Sequence, residues 1–110
     1  MSTAKDALQS LFTALENRDH SAAMATFTND AVFFDPHYPN PTMEGRAAIG
    51  KGLDWGLKSI EKFGFTIEKA YSGKDGTTCA VEIDTHHFLK GGKELHFPQA
   101  FFVETRDGKI

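Results

Sequence analysis

The sequence predicts an α+β fold, with helices laid on one face of a curved antiparallel sheet. Three observations carry that prediction. Apolar residues recur at helical spacing through the first half of the chain. From Phe65 onward, long strand-like runs replace them. Those runs are separated by Asp75-Gly76, Gly91-Gly92 and Asp107-Gly108, which are hairpin-turn signals.

The first helix starts at Thr3, whose hydroxyl can cap it, with Asp6 three residues on. Leu8, Leu11, Phe12 and Leu15 share one face. Asn17 to Asp19 breaks it, and Ser21 or Asp19 opens a short second helix carrying Ala22, Ala23, Met24 and Phe27. Ala31 to Asp35 reads as a strand, and its four consecutive apolar residues predict burial on both faces. Gly45 opens a third helix with Ile49, Leu53, Leu57 and Ile60 as its buried stripe and Trp55 beside it. Gly50, Gly52 and Gly56 each weaken that helix by about 1 kcal/mol relative to alanine, and Gly50 and Gly52 mark an irregular start. Gly64 ends it. Phe65 to Ser72, Thr77 to Lys90 and Lys93 to Arg106 are then strands. Asp107-Gly108 should launch a further strand, which looks truncated, since only Lys109 and Ile110 follow.

Composition narrows the function. The 110 residues form one domain, 1–110, with no linker, repeat or low-complexity segment. A net charge of -3 without a basic block argues against nucleic-acid binding. The apolar runs are far too short to span a bilayer. A single cysteine, Cys79, excludes an internal disulfide and points to a reducing, cytoplasmic setting and a buried, inert thiol. Ten phenylalanines are a heavy aromatic load, which either fills the core or walls an apolar pocket.

The stretch "FFDPHYPNP", residues 33–41, concentrates the chemistry. A hydrophobic strand ends in Asp35, followed by three prolines with His37 and Tyr38 between them. A carboxylate walled by rings loses water and becomes a better base, while prolines stiffen the backbone around it. The competing reading is that Asp35 only caps the following turn.

A two-residue loop at Gly91-Gly92 would place His87 opposite His96, Thr85 opposite Pro98, Ile83 opposite Ala100 and Val81 opposite Phe102. That face resembles a pocket wall, apolar with a few polar groups. Leu95, Phe97 and Phe101 would then lie on the outer face with Glu82, Asp84, His86 and Phe88, as a protein interface. Adjacent strand residues His86 and His87 point oppositely and cannot share one ion, so no metal is expected. Gly50-Lys51-Gly52 lacks the length of a phosphate loop.

The segments "NDAVFFDP", "EGRAAIGK" and "FFVETRDGKI", in this order and spacing, resemble the nuclear transport factor 2-like superfamily, and most closely its ketosteroid isomerases and SnoaL-type polyketide cyclases. The resemblance covers essentially the whole chain. It implies a cone-shaped α+β barrel, three helices in the N-terminal half packed on a strongly curved antiparallel sheet, and a last strand after the D-G-K-I turn. It also implies a homodimer through the outer sheet face. In ketosteroid isomerases the Asp after the first strand is the general base, and Asp35 occupies that place. Their oxyanion-binding Tyr and Asp are matched here by Leu11 and Ala100, so steroid isomerisation by that mechanism is not expected. His87 and His96 could supply donors instead. Scytalone dehydratases use an Asp with His residues. Limonene epoxide hydrolases need an Asp-Arg-Asp set that Arg46 and Arg106 do not complete.

The resulting expectation is a cofactor-independent acid/base enzyme of isomerase, cyclase or dehydratase type, acting on a small hydrophobic carbonyl compound. Asp35, His87 and His96 are its candidate catalytic residues. Phe33, Tyr38, Trp55, Thr85, Ala100 and Phe102 are its candidate substrate-binding residues. The alternative is a non-catalytic module of the same fold that binds a small molecule or dimerises.

Overall fold

The computed structural model describes residues 3–110. Helix α1 (Ala4–Glu16) begins with a complete capping box: Thr3 accepts from the Asp6 amide at 3.1 Å, and Asp6 accepts from the Thr3 amide at 3.0 Å. Its stripe of Leu8, Leu11, Phe12 and Leu15 is buried, as the periodicity predicts. Asp19 caps α2 (His20–Met24) by accepting from the Ala22 amide at 3.0 Å. The third helix, α3 (Gly45–Ser59), is continuous through all its glycines, with no irregular start. Of these, Gly52 serves packing. A Cβ on Gly52 would overlap the Met43 sulfur, and Met43 is buried. Not Gly64 but Ser59 ends α3, and the chain passes directly into a strand. The Arg18 guanidinium secures this junction by donating to the carbonyls of Leu57, Ile60 and Glu61.

Two sheets form. A short ribbon pairs β1 (Val32–Phe34) with β2 (Thr42–Glu44), closing the proline-rich loop between them. The expected double-sided burial of β1 does not hold: Val32 and Phe34 are 59% and 63% exposed, and only Phe33 turns inward. Three residues in a two-stranded ribbon leave one face to solvent. In the larger sheet β5 (Thr78–Leu89) is the spine. The last strand, β6 (Glu94–Glu104), pairs along one edge; β4 (Phe65–Ser72) and β3 (Ile60–Lys62) pair along the other. Register shifts at Ile60/Lys62 and Ile67/Lys69 bend this second edge and help curl the sheet around the helices. The result is a curled antiparallel sheet with three helices packed on it, as expected for a cone-shaped α+β barrel. At the end, Asp107 and Gly108 both take positive φ, and Arg106 bridges to Lys109.

The β5–β6 hairpin departs from the two-residue turn. Leu89 donates to the Lys93 carbonyl at 2.7 Å, so the loop holds three residues, Lys90, Gly91 and Gly92, with both glycines at positive φ. Adding one residue shifts the register by one and turns the whole of β6 over, because side chains alternate. His86, not His87, faces His96; His87 faces Leu95. The β5 face was read correctly: Val81, Ile83, Thr85 and His87 are buried. On β6 the assignments reverse. His96, Ala100 and Phe102 lie on the outer face, with Phe102 85% exposed. Leu95, Phe97 and Phe101 line the interior and cannot form the expected interface.

Among the described residues, no helix is long and apolar enough to cross a membrane.

Candidate functional site

A cavity of about 210 Å³ lies between α1, the α3–β3 junction, the proline-rich loop and the inner face of the β5–β6 hairpin. Its walls are largely aromatic. Phe12 stacks on Phe65 with centroids 4.2 Å apart, and Phe101 meets Phe12 edge-on. On the loop side, Phe33, Tyr38 and Trp55 form a chain of rings, each 5.5 Å from the next. Phenylalanine thus both fills the core and walls a pocket.

Asp35 sits at the end of β1, only 7% exposed, at the cavity wall. Its Oδ1 accepts two hydrogen bonds from one residue, the His37 amide and His37 Nδ1, both at 2.9 Å. The first is the turn-capping bond that the sequence left open. The second forms a carboxylate–imidazole pair, in which Nδ1 carries the hydrogen. Oδ2 has no donor among the described residues. No fully buried side-chain polar atom among them lacks a partner, so Oδ2 keeps some exposed surface. His37 is held against the Phe97 ring, 4.8 Å between centroids, at the half-exposed mouth.

His87 occupies another part of the wall, caged edge-on by Phe63 and Phe65. Gly64 makes its setting possible. A side chain there would overlap the His86 carbonyl, and the close approach lets the Gly64 amide donate to His87 Nδ1 at 3.2 Å. With Nδ1 accepting, the hydrogen must sit on Nε2. Burial lowers the pKa of His87 to about 4, against the opposing pull of the Asp35 charge. At neutral pH it is therefore an uncharged imidazole presenting an N–H. Tyr38 is pushed well above its ordinary range by burial first and by Asp35 second, so its hydroxyl keeps its proton.

Of the expected site residues, Asp35, Phe33, Tyr38, Trp55 and His87 line the one cavity. Thr85 is fully buried behind its wall and reaches it only through Gln99, whose Oε1 accepts from the Thr85 hydroxyl at 2.6 Å. His96 lies outside, bonded to Asp84 at 2.8 Å and stacked on His86 at 4.2 Å. Ala100 and Phe102 are outside with it. Sequence reasoning missed Gln99 as a lining residue, because it follows from the three-residue loop. It also gave His37 no chemical role, although a His two residues after an Asp that caps a turn can reach that carboxylate. Arg46 donates to the Met24 and Phe27 carbonyls, and Arg106 pairs with Asp30 at the surface, so neither belongs to the site.

Residues 8–110 match the family model of the SnoaL-like domain. No curated protein matches the chain. Among solved structures, it is similar to a protein of ketosteroid isomerase-like fold from Catenulispora acidiphila, in complex with trimethylamine. That match has a TM-score of 0.81 and 26% identity, and spans 98% of this chain and 82% of that one. A Mycobacterium tuberculosis protein in complex with estradiol-17beta-hemisuccinate gives a TM-score of 0.86 at 20% identity, over 100% and 89% of the two chains. The Δ5-3-ketosteroid isomerase of a Mycobacterium species gives 0.86 at 19% identity, over 100% and 88%. The last two likenesses establish the fold alone.

Proposed function

The chain belongs to the SnoaL-like domain family, of nuclear transport factor 2-like fold, and from that premise we propose a cofactor-independent proton-transfer enzyme acting on a small hydrophobic carbonyl compound. One observation carries the reading. Asp35, a buried carboxylate whose Oδ1 alone is taken by protein donors, and His87, an uncharged imidazole with its hydrogen on Nε2, line one ring-walled cavity. The first is an acceptor for a proton and the second a donor to an oxygen, which are the two partners an enolising carbonyl needs.

In this mechanism the carbonyl oxygen accepts the His87 N–H bond. Asp35 Oδ2 takes a proton from the adjacent carbon, and the C–H electron pair moves into the new C=C bond as the carbonyl π pair moves onto oxygen. His87 stabilises that oxygen without transferring its own proton. Protonated Asp35 then returns the proton to a different carbon, which is isomerisation. Alternatively the enolate carbon attacks a second carbonyl of the same molecule, which is ring closure, and Asp35 protonates the new alkoxide. His37 holds Oδ1 and so aims Oδ2. Phe33, Tyr38 and Trp55 would bind the apolar body of the substrate.

Incubation with a panel of small cyclic ketones in D₂O, followed by proton NMR, tests this reading. Protein-dependent loss of α-proton signals is expected, and Asp35→Asn should abolish it. Ligand-induced stabilisation without any exchange across the panel would favour a binding module instead. A homodimer, if formed, would need a face other than Leu95, Phe97 and Phe101.

A further inference from the structure

The geometry points to Gln99 as a second hydrogen-bond donor to the ligand's oxygen, oriented for that role by the buried hydroxyl of Thr85; this rests on the carbonyl-substrate reading above. Thr85 is sealed from solvent, and its Oγ1 lies 2.6 Å from Gln99 Oε1. A hydroxyl without access to water has to donate its hydrogen, and Gln99 is its side-chain partner. Gln99 therefore turns Oε1 toward Thr85 and its NH₂ the other way. That nitrogen lies 3.4 Å from His37 Nδ1 at the cavity wall. His37 Nδ1 cannot accept from it, because the same nitrogen donates to Asp35 Oδ1 at 2.9 Å. Among the described residues the Gln99 amide hydrogens thus have no acceptor, which leaves them for a ligand.

The placement suits the substrate class. A carbonyl oxygen and the carbon that loses its proton are two bonds apart. An amide donor beside the Asp35–His37 pair can hold such an oxygen while Asp35 faces the carbon. The ligand that fits is one carrying an oxygen that becomes, or already is, an enolate- or phenolate-type anion. Gln99 touches that oxygen; Thr85 is a positioning residue that acts through Gln99.

4-Nitrophenol is a direct probe, since its phenolate resembles an enolate oxygen and absorbs in the visible. Binding is measured by absorbance titration in an Asp35→Asn background, which removes the competing carboxylate charge. The parent should bind phenolate. Adding Gln99→Leu should weaken binding about 10- to 100-fold, the usual loss for one hydrogen bond to a charged group. Gln99→Glu, which keeps the side-chain shape and can still accept from Thr85, should weaken it at least as much, and carries the test if Gln99→Leu does not fold by circular dichroism. Thr85→Val should cost about 10-fold, and Thr85→Ser should restore the parent affinity. Unchanged phenolate affinity in the Gln99 variants overturns the inference and leaves the enzymatic reading standing. Loss in Thr85→Val without rescue by Thr85→Ser overturns the positioning role. Absence of binding to the parent overturns the ligand-cavity reading, and this inference with it.

Discussion

His87 owes its neutrality to burial between Phe63 and Phe65, and its tautomer to the Gly64 amide. The stability consequence follows from its lowered pKa. In the unfolded chain the imidazole takes up a proton near the ordinary value of 6.5, whereas in the folded chain it does so only near 4. Above 6.5 both states are neutral there and His87 contributes no pH dependence. As pH falls from 6.5 toward 4 the unfolded state binds the proton preferentially, and stability drops. The expected outcome is a melting temperature that declines more steeply across this window in the wild type than in His87→Phe. Parallel curves for the two proteins would contradict the assignment. Asp35 makes a contrasting demand. Its Oδ1 is held by His37, and Asp35→Asn preserves an acceptor for the same two donors. That substitution should therefore leave unfolding in urea within about 1 kcal/mol of wild type while removing α-proton exchange. A larger loss of stability would make Asp35 chiefly a turn residue.

At the scale of elements, Gly52 of α3 reverses a propensity argument. On propensity alone Gly52→Ala should stabilise the helix by about 1 kcal/mol. Its Cβ would overlap the buried sulfur of Met43 on β2, and overpacking costs about 1–3 kcal/mol. We expect a net loss of up to about 2 kcal/mol by urea denaturation; a gain would mean that Met43 moves aside freely. The same helix shows how far sequence reasoning reached. Stripe residues Ile49 and Leu53 are fully buried, since helical periodicity is a strong local signal. Ile60 was read into that stripe but belongs to β3, because tertiary pairing with Leu89 pulls it out of the helix. On β5 the inward residues were read correctly from alternation. On β6 they were not, because alternation fixes only which residues share a face. Which face turns inward depends on loop length, and Gly91-Gly92 is compatible with loops of two or three residues. Asp35 was legible because it interrupts a hydrophobic strand just before prolines. Gln99 was hidden by the loop, and the His37–Asp35 contact by the conformation of a turn that only folding specifies.

For the molecule as a whole, enclosed volume sets the ligand size. A cavity of about 150 Å³ takes benzene, so one of about 210 Å³ suits a compound of one or two rings. Small cyclic ketones should raise the melting temperature in a thermal-shift series, and the effect should vanish before four fused rings are reached. Stabilisation by a four-ring steroid equal to that by a bicyclic ketone would show that the walls open. The size limit agrees with the chemistry of the walls. Leu11 on α1 is apolar, and the polar lining side chains include Asp35, His37, Gln99 and His87, with Tyr38 and Ser59. Polar contacts are therefore available at the ligand's oxygen and acidic carbon, and ring contacts elsewhere.

The three-residue loop at Lys90–Gly92 also makes the hairpin a genetic switchboard. Deleting the Lys93 codon beside it, with the loop kept at three residues, would pair Leu89 with Glu94 and so reverse the presentation of β6. The lining set Leu95, Phe97, Gln99 and Phe101 would be exchanged in one event for His96, Pro98, Ala100 and Phe102. The new interior would set His96 beside His87 and leave Thr85 facing a proline with no acceptor. Substitution by substitution, the same exchange needs several changes, most of them passing through a poorly packed cavity. A single in-frame deletion makes it at once, at the risk of a chain that no longer closes. In a fold of this kind, a one-residue deletion at the boundary of a hairpin loop is a route to a new cavity lining that alters no strand residue.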